Sequence, residues 1–331
     1  MKSKRRIWPV LVLFFLAPAI AELLSGSAPP AEFFHPLGLL VLPALYGSGA
    51  ILVRELRVRW RKGWPTVLAL GAAYGIVEEG LMVKSFFDPH WEDLGLLGSY
   101  GRWGGVNWVW SLELTIYHAA FSIAIPILLT ELLFPDRRDE RWLGRRGMIG
   151  FPLLLLADVL FGFLALTSYR PPLVPYLLAV AATLGLFSVA RWLPVKTGGR
   201  RHPSPPPRPL WFVGLGFVAT LAFFIIFWGF PAIPLPVPIT VLAGVMLPAV
   251  VIWAVLRMSR DGAWNDRHRL GLAGGALMFF VLLAPLQELD AERVDNTSGM
   301  TLVGLAMLMF LAGLWWWVRR RSGEETADAV Q

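Results

Sequence analysis

The chain contains no cysteine. Disulfides, thiolate nucleophiles and cysteine-held metals are therefore excluded. Charge is also scarce: 16% of the 331 residues are Asp, Glu, Lys or Arg, against about a quarter in soluble domains. Although the formal net charge is +7, no basic domain or face of the kind a nucleic-acid binder needs is present, so no nucleic-acid partner is expected. There is no HExxH, no GxSxG, and no Ser within an apolar run with a Lys to partner it, which leaves the common zinc-protease and serine-hydrolase signatures unfilled. Apolar residues fill the space these absences leave. Hydrophobic residues make up 56% of the chain, with 16 Trp and 21 Phe, and mean hydropathy is +0.58. A soluble core of this size buries too little surface to hide so much apolar area. A bilayer accommodates it, and abundant Trp suits its interfaces.

The apolar runs fall at 7–25, 37–56, 64–83, 106–134, 148–168, 173–193, 209–229, 235–256, 270–288 and 299–318. Each has about 20 residues, enough to cross a ~30 Å hydrocarbon core at ~1.5 Å per residue. The fold expected is all-α, a polytopic integral membrane bundle of about ten transmembrane helices. Charge tests the count. With the N-terminus inside, all of the 30 Lys and Arg residues except Lys84, Arg102, Arg170 and Arg293 fall in inner segments. Basic residues are held back on the cytoplasmic side during insertion, so both termini are expected to be cytoplasmic, in a prokaryotic inner (plasma) membrane. The start also has signal-peptide grammar, with a basic 1–6, an apolar 7–16 and Ala19-Ile20-Ala21. A retained first helix and a cleaved signal are both consistent with it. Helices one to six (1–193) are separated from helices seven to ten (209–318) by a Gly/Pro/Arg linker at 194–208, and a polar tail follows at 319–331.

Polar residues inside the runs are the candidates for function, because carboxylates in hydrocarbon are costly unless something satisfies them. The third run carries Glu78 and Glu79 about five residues before its outer end, followed by Lys84. The fourth carries Glu113 and, near mid-membrane, His118. Glu22 lies near the outer end of the first run, Gln287, Glu288 and Asp290 at the outer end of the ninth, and Asp158 nearer the middle of the fifth. Glu131 approaches the inner interface, within reach of Arg. Neighbours on an α-helix point ~100° apart. Glu78 and Glu79 are therefore expected to part, one lining a cavity while the other bonds a second helix. Tyr74, Glu78 and Met82 share a face, and His118 aligns with Leu114, Ser122 and Pro126. Glu113 and His118 are offset by ~140° and ~7.5 Å, so a bent helix or a broad cavity is required for both to serve one site. The loop 84–105, rich in aromatics, acids and glycines, is expected to fold back on the membrane face.

Three classes of role fit these residues. In an enzyme, Glu78 or Glu79 acts as general base and His118 as ligand or oxyanion partner, with Glu113 beside them. One divalent metal on His118, His90 and Glu79 is compatible with that chemistry, and His35 is a further outer imidazole. In a proton- or cation-coupled carrier, Glu78, Glu79, Glu113 and Asp158 take the cation, assisted by His118. In a non-catalytic complex subunit the same groups, with Asn107, latch helices together. Partners are then the lipid bilayer and a membrane-embedded peptide, lipid or small solute.

The pair Glu78-Glu79, followed by His118 in the next apolar run, resembles the CAAX-processing and bacteriocin-immunity type of intramembrane protease. The first motif of that family is Glu-Glu-x-x-x-Arg. Here Val83 takes the Arg position and Lys84 follows it. The second is Phe-x-x-x-His, read here as Leu114-Thr115-Ile116-Tyr117-His118. The third has no match, although Asp158 lies at a suitable distance. The resemblance covers about 80 residues. It implies that Glu78 and Glu79 activate water and that His118 serves a metal or an oxyanion, against prenylated or membrane peptides.

Overall fold

The computed structural model describes residues 7–195, 207–233, 235–259 and 264–328. Among these, nine helices are long and apolar enough to cross a membrane. They are α1 (Ile7–Leu24), α2 (Pro36–Arg59), α4 (Trp108–Leu133), α5 (Arg145–Leu166), α6 (Leu173–Trp192), α7 (Pro209–Ala232), α8 (Val237–Met258), α9 (Asp266–Leu289) and α10 (Met300–Arg321). A further helix, α3 (64–82), stands between α2 and α4 as an α-helical Trp64–Gly75 continued by a π-helical Ile76–Met82. Its two adjacent acids make it less apolar than its neighbours. The chain is thus an all-α polytopic bundle. The basic stretch 1–6, most of the Gly/Pro/Arg linker (196–206) and the tail end 329–331 lie outside the described residues.

α1, α2, α3, α4 and α9 form the inner part of the bundle. α5, α6 and α8 stand at its edge and expose apolar side chains such as Leu153, Leu164, Leu177, Leu184, Leu242 and Trp253, as lipid-facing helices do. Since lipid tails are as apolar as Leu, the helices are held by close packing and polar contacts rather than by a hydrophobic force. α7 and α9 show the packing. A Cβ at Gly275 would lie 2.0 Å from the Val213 carbonyl oxygen, and one at Gly216 2.1 Å from that of Leu272, so the two backbones touch at glycine. Phe280 of α9 meets Phe121 of α4 with ring centroids 5.1 Å apart, edge to face. This contact joins the later helices to the earlier ones through one core.

The arginine-rich end is tied by ion pairs. Glu131 accepts from Arg57 at 2.7 Å and from Arg54 at 3.4 Å, as its place near that interface leads one to expect. The buried Arg54 guanidinium also donates to the carbonyls of Arg137, Arg138 and Glu140 at 3.0, 2.7 and 2.6 Å and lies 3.5 Å over the Trp142 ring. Asp266 at the start of α9 receives Arg138 at 2.8 Å and Arg321 of α10 at 2.5 Å. Charge, hydrogen bonding and cation–π contact together satisfy groups that would be expensive alone.

At the opposite end, the loop between α3 and α4 folds back onto the bundle. Phe86, Phe87, Leu94 and Leu97 are buried, and a two-residue hairpin pairs Arg102 with Asn107 and Trp103 with Val106. Asn107 then caps α4 by accepting from the Trp110 amide at 3.0 Å, which satisfies one of the free amides of the helix start.

Candidate functional site

Six of the described helices carry a π-helical segment. Two of these segments lie in α5 (Gly162–Leu166) and α7 (Ile225–Gly229), and the other four meet around one group of polar side chains. Ala19–Leu24 in α1, Pro43–Gly47 in α2, Ile76–Met82 in α3 and His118–Ala124 in α4 are all π-helical. A proline accompanies three of them: Pro18, Pro43 and Pro126. Proline supplies no amide to the i→i−4 ladder and crowds the preceding turn, which favours a local change of pitch. Each of these four π turns presents a polar side chain to the interior: Glu22, Tyr46, the pair Glu78 and Glu79, and His118.

Glu78 and Glu79 converge on His118. Glu79 Oε1 lies 3.2 Å from Nε2 and Glu78 Oε2 lies 3.3 Å from Nδ1. This corrects the expectation that the two acids separate. A π turn holds more residues than an α turn, so neighbours splay by less than ~100°. The imidazole also offers a nitrogen on each edge. Ser122 Oγ sits 2.9 Å from Nδ1, one turn further along α4. Gly75 makes the approach possible, because a Cβ there would lie 2.9 Å from His118 Cβ.

Further hydroxyls complete the first layer. Tyr46 Oη meets carboxyl groups of both Glu22 and Glu78; its one proton goes to one of them, and the other carboxyl, protonated, donates to the phenol oxygen, so α1, α2 and α3 are joined through one phenol. Ser85 Oγ donates to Glu79 Oε2 and accepts from Trp110 Nε1 at 3.0 Å. Tyr117 Oη donates to the Ala21 carbonyl at 2.7 Å. Accessibility is uneven. Glu78 is 4% and His118 2% exposed, while the Glu79 side chain is 13% exposed, so water reaches the cluster at Glu79. Beyond it lies more acid. Asp93, in the loop helix Glu92–Gly98, is open to solvent, yet the packed loop, then the charge of Glu79, holds its carboxyl above the usual range. Glu32, on the short helix Pro30–Phe33, is raised by burial and then by Asp295 and Asp93.

The other sequence candidates lie elsewhere. The buried Glu113 accepts from Trp228 Nε1 of α7 at 2.6 Å through one oxygen, and it is not among the residues whose ligand atoms gather with Glu78, Glu79 and His118. His90 is exposed in the loop, where its amide donates to Asp88 Oδ1 at 2.9 Å, and the structure does not bring it to the cluster. His35 accepts from the Leu37 amide at 3.3 Å as the cap of α2. Lys84 turns away too, and its ammonium donates to the carbonyls of Phe163 at 2.8 Å and Thr167 at 3.1 Å at the end of α5. Among the described residues, the group able to hold a metal ion is Glu78, Glu79 and His118, which bring one ligand atom each within 4.8 Å of one another. Sequence reasoning placed Glu22 at the right depth but not in the site, and passed over Tyr46 and Ser85. The proline beside an acid or phenol inside an apolar run was the available signal.

No curated protein and no solved structure matches the chain. The model of an uncharacterized membrane protein family matches residues 11–329, nearly the full length, and the chain belongs to that family.

Proposed function

We propose that the protein is an intramembrane hydrolase in which Glu79 and His118 activate water. The observation that supports this reading most is the imidazole held between two carboxylates, with only Glu79 accessible. Glu79 takes a proton from water at the accessible edge as the water oxygen bonds to the scissile carbonyl carbon, His118 Nε2 stabilises the carboxylate, and Glu79 returns the proton to the leaving group as the scissile bond breaks. Glu78 and Ser122 at Nδ1 orient the ring, and general-base contributions of this kind amount to about 10²–10⁴-fold in rate. Glu78, Glu79 and His118 also offer a divalent ion three ligand atoms, two carboxylate oxygens and an imidazole nitrogen, within 4.8 Å of one another. Such an ion would supply Lewis-acid polarisation at the scissile group. With the arginine-rich end cytoplasmic, as the charge bias indicates, the site opens toward the outer leaflet of the plasma membrane. Its substrate is then a membrane-embedded peptide or lipid. The resemblance to CAAX-type intramembrane proteases in the paired Glu and the His agrees with this.

The test is isotopic and needs no prior substrate. Purified protein is reconstituted in vesicles of native lipid and membrane peptides in ¹⁸O-labelled water, and products are surveyed by mass spectrometry. Label is expected in new carboxyl or hydroxyl groups with the wild type and is expected to fall by about 100-fold or more in Glu79→Gln and His118→Ala. Folded wild-type protein that incorporates no label would sink the proposal. A proton-coupled carrier is the second reading, favoured by three acids (Glu22, Glu78, Glu79) around one imidazole. Uptake driven by a proton gradient and lost in Glu79→Gln would support it.

A further inference from the structure

At the arginine-rich end, guanidinium groups from three parts of the chain meet on one carboxylate. Asp266, at the start of α9, accepts from Arg138 of the α4–α5 loop at 2.8 Å, from Arg269 of α9 at 3.3 Å and from Arg321 of α10 at 2.5 Å. Arg54 and Arg57 hold the same loop by donating to the Arg138 carbonyl at 2.7 and 3.2 Å. Arg267 joins α9 to α10 by donating to the Arg319 carbonyl at 3.2 Å. Backbone bonds as well as ion pairs therefore fix the cluster across the loop and both helices.

Its charges do not balance. Asp266 carries one negative charge, and Arg138 and Arg269 form no ion pair with another carboxylate among the described residues. The Nε of each is buried and makes no hydrogen bond among those residues. A guanidinium has five N–H donors and does not lose its proton in a protein, so the surplus is permanent. The side chains of Arg138, Arg269 and Arg321 are 21%, 23% and 19% exposed. They are sheltered enough for like charges to repel appreciably, and open enough for a ligand to reach their outer edges. An anion with several acceptor oxygens meets this surplus best, because the Arg fork binds phosphate through two bonds at once.

Depth points to the source of that phosphate. Trp316 and Trp317 of α10 are exposed, and Trp is enriched where membrane meets water. Arg320 lies over the Trp316 ring at 5.6 Å. Arg321 follows Trp317 by about one helical turn, at the level of the lipid headgroups. Basic pockets between helices at this depth suit anionic headgroups.

We propose that Arg138, Arg269 and Arg321, gathered by Asp266, bind the phosphate group of an anionic phospholipid in the leaflet at the arginine-rich end. The lipid then ties the α4–α5 loop to α9 and α10. The inference is independent of the hydrolase reading, since it concerns the opposite end of the bundle.

The experiment uses the full-length protein, stripped of lipid in a neutral detergent. Thermal unfolding is followed by Trp fluorescence in mixed micelles where phosphatidylglycerol replaces phosphatidylcholine at constant total lipid. Ligands that bind only the native state raise its Tm in a saturable manner. Phosphatidylglycerol is expected to do so in the wild type. Half-saturation should need about tenfold more lipid, or more, in Arg269→Gln and in Arg138→Gln, as befits the loss of a charged hydrogen bond. Arg145→Gln removes the same charge from an exposed position at the same end and should respond as the wild type does. Arg138→Lys keeps the charge and loses the fork. It should weaken binding too, and it carries the test if the Gln variants fail to fold. A parallel titration sets sodium phosphate against sodium chloride at equal ionic strength. A Tm that phosphatidylglycerol moves no more than phosphatidylcholine does overturns the proposal. So does an equal loss in Arg145→Gln, which reduces the effect to general attraction. A response to inorganic phosphate without one to the lipid overturns it as well, since the site then takes a soluble phosphate.

Discussion

Glu22 on the first helix and Glu78 on the third hydrogen-bond the same hydroxyl, that of Tyr46 on the second, one accepting its proton and the other donating to its oxygen. The phenol is what lets two acids face each other inside the bundle. Without it, each acid loses a hydrogen-bond partner in a buried region, a loss of about 1–3 kcal/mol for each buried group left unsatisfied.

Tyr46→Phe is therefore expected to lower stability by about 1–3 kcal/mol, read from unfolding in detergent. The double variant Tyr46→Phe with Glu22→Gln should lose less than the sum of the two single changes, because the amide brings its own donor and the two sites interact. Strict additivity would show that the phenol is not the link between them.

Gly75→Ala tests the seat of the imidazole. The new methyl would meet His118 Cβ at 2.9 Å and the Leu114 carbonyl oxygen at 3.3 Å, forcing α3 and α4 apart. Small shifts at a reacting geometry are costly, a 1 Å displacement reaching about 100-fold in rate. Label incorporation is expected to fall by that order while the helical circular dichroism is unchanged.

Glu131→Leu tests the arginine-rich end. The buried Arg57 would be left without its carboxylate and Arg54 would keep only Glu55, at 3.5 Å, and breaking a buried pair from one side costs about 3–5 kcal/mol. The loss should show as a lower Tm, and it should be partly recovered when Arg57 is also replaced by Leu.

Asp93 sets a pH dependence. Loop packing, then Glu79, Asp295 and Glu92, raise its carboxyl above the ordinary range. The native state thus holds this proton more tightly than the unfolded chain does. The resulting stabilisation is full below the ordinary Asp range and is lost as pH rises through the raised value. Asp93→Asn should match the wild type in acid and become the more stable of the two toward neutral pH. Parallel stability curves across that range would contradict the assignment.

Lys84→Met removes the ammonium that satisfies the Phe163 and Thr167 carbonyls at the end of α5. Faster amide exchange is expected at 162–170 and in the loop 84–105, with a stability loss of about 1–3 kcal/mol. Unchanged exchange there would mean that those carbonyls have another donor in solution.

Much of the site was legible before any coordinates. Glu78, Glu79 and His118 were visible as polar groups in long apolar runs, because lipid penalises them wherever they fall. Glu131 could be paired with arginine from depth alone. Glu113 had the same signature and a different fate. Its partner, Trp228, lies on α7, 115 residues away, and no local pattern announces it. His90 was attractive only for being an imidazole nearby in sequence, whereas its backbone is held in the loop by Asp88.

What the sequence determined by itself is the crossing pattern. Run length against bilayer thickness, and arginine against its absence in alternate loops, are additive along the chain and need no knowledge of contacts. The meeting of Glu22, Tyr46, Glu78, Glu79 and His118 was decided only in three dimensions. It depends on π turns in four separate helices meeting around that group, and on glycine letting two of those helices close to contact. Pitch and approach are properties of packed helices, and a helical wheel drawn at 100° per residue turns Glu79 the wrong way.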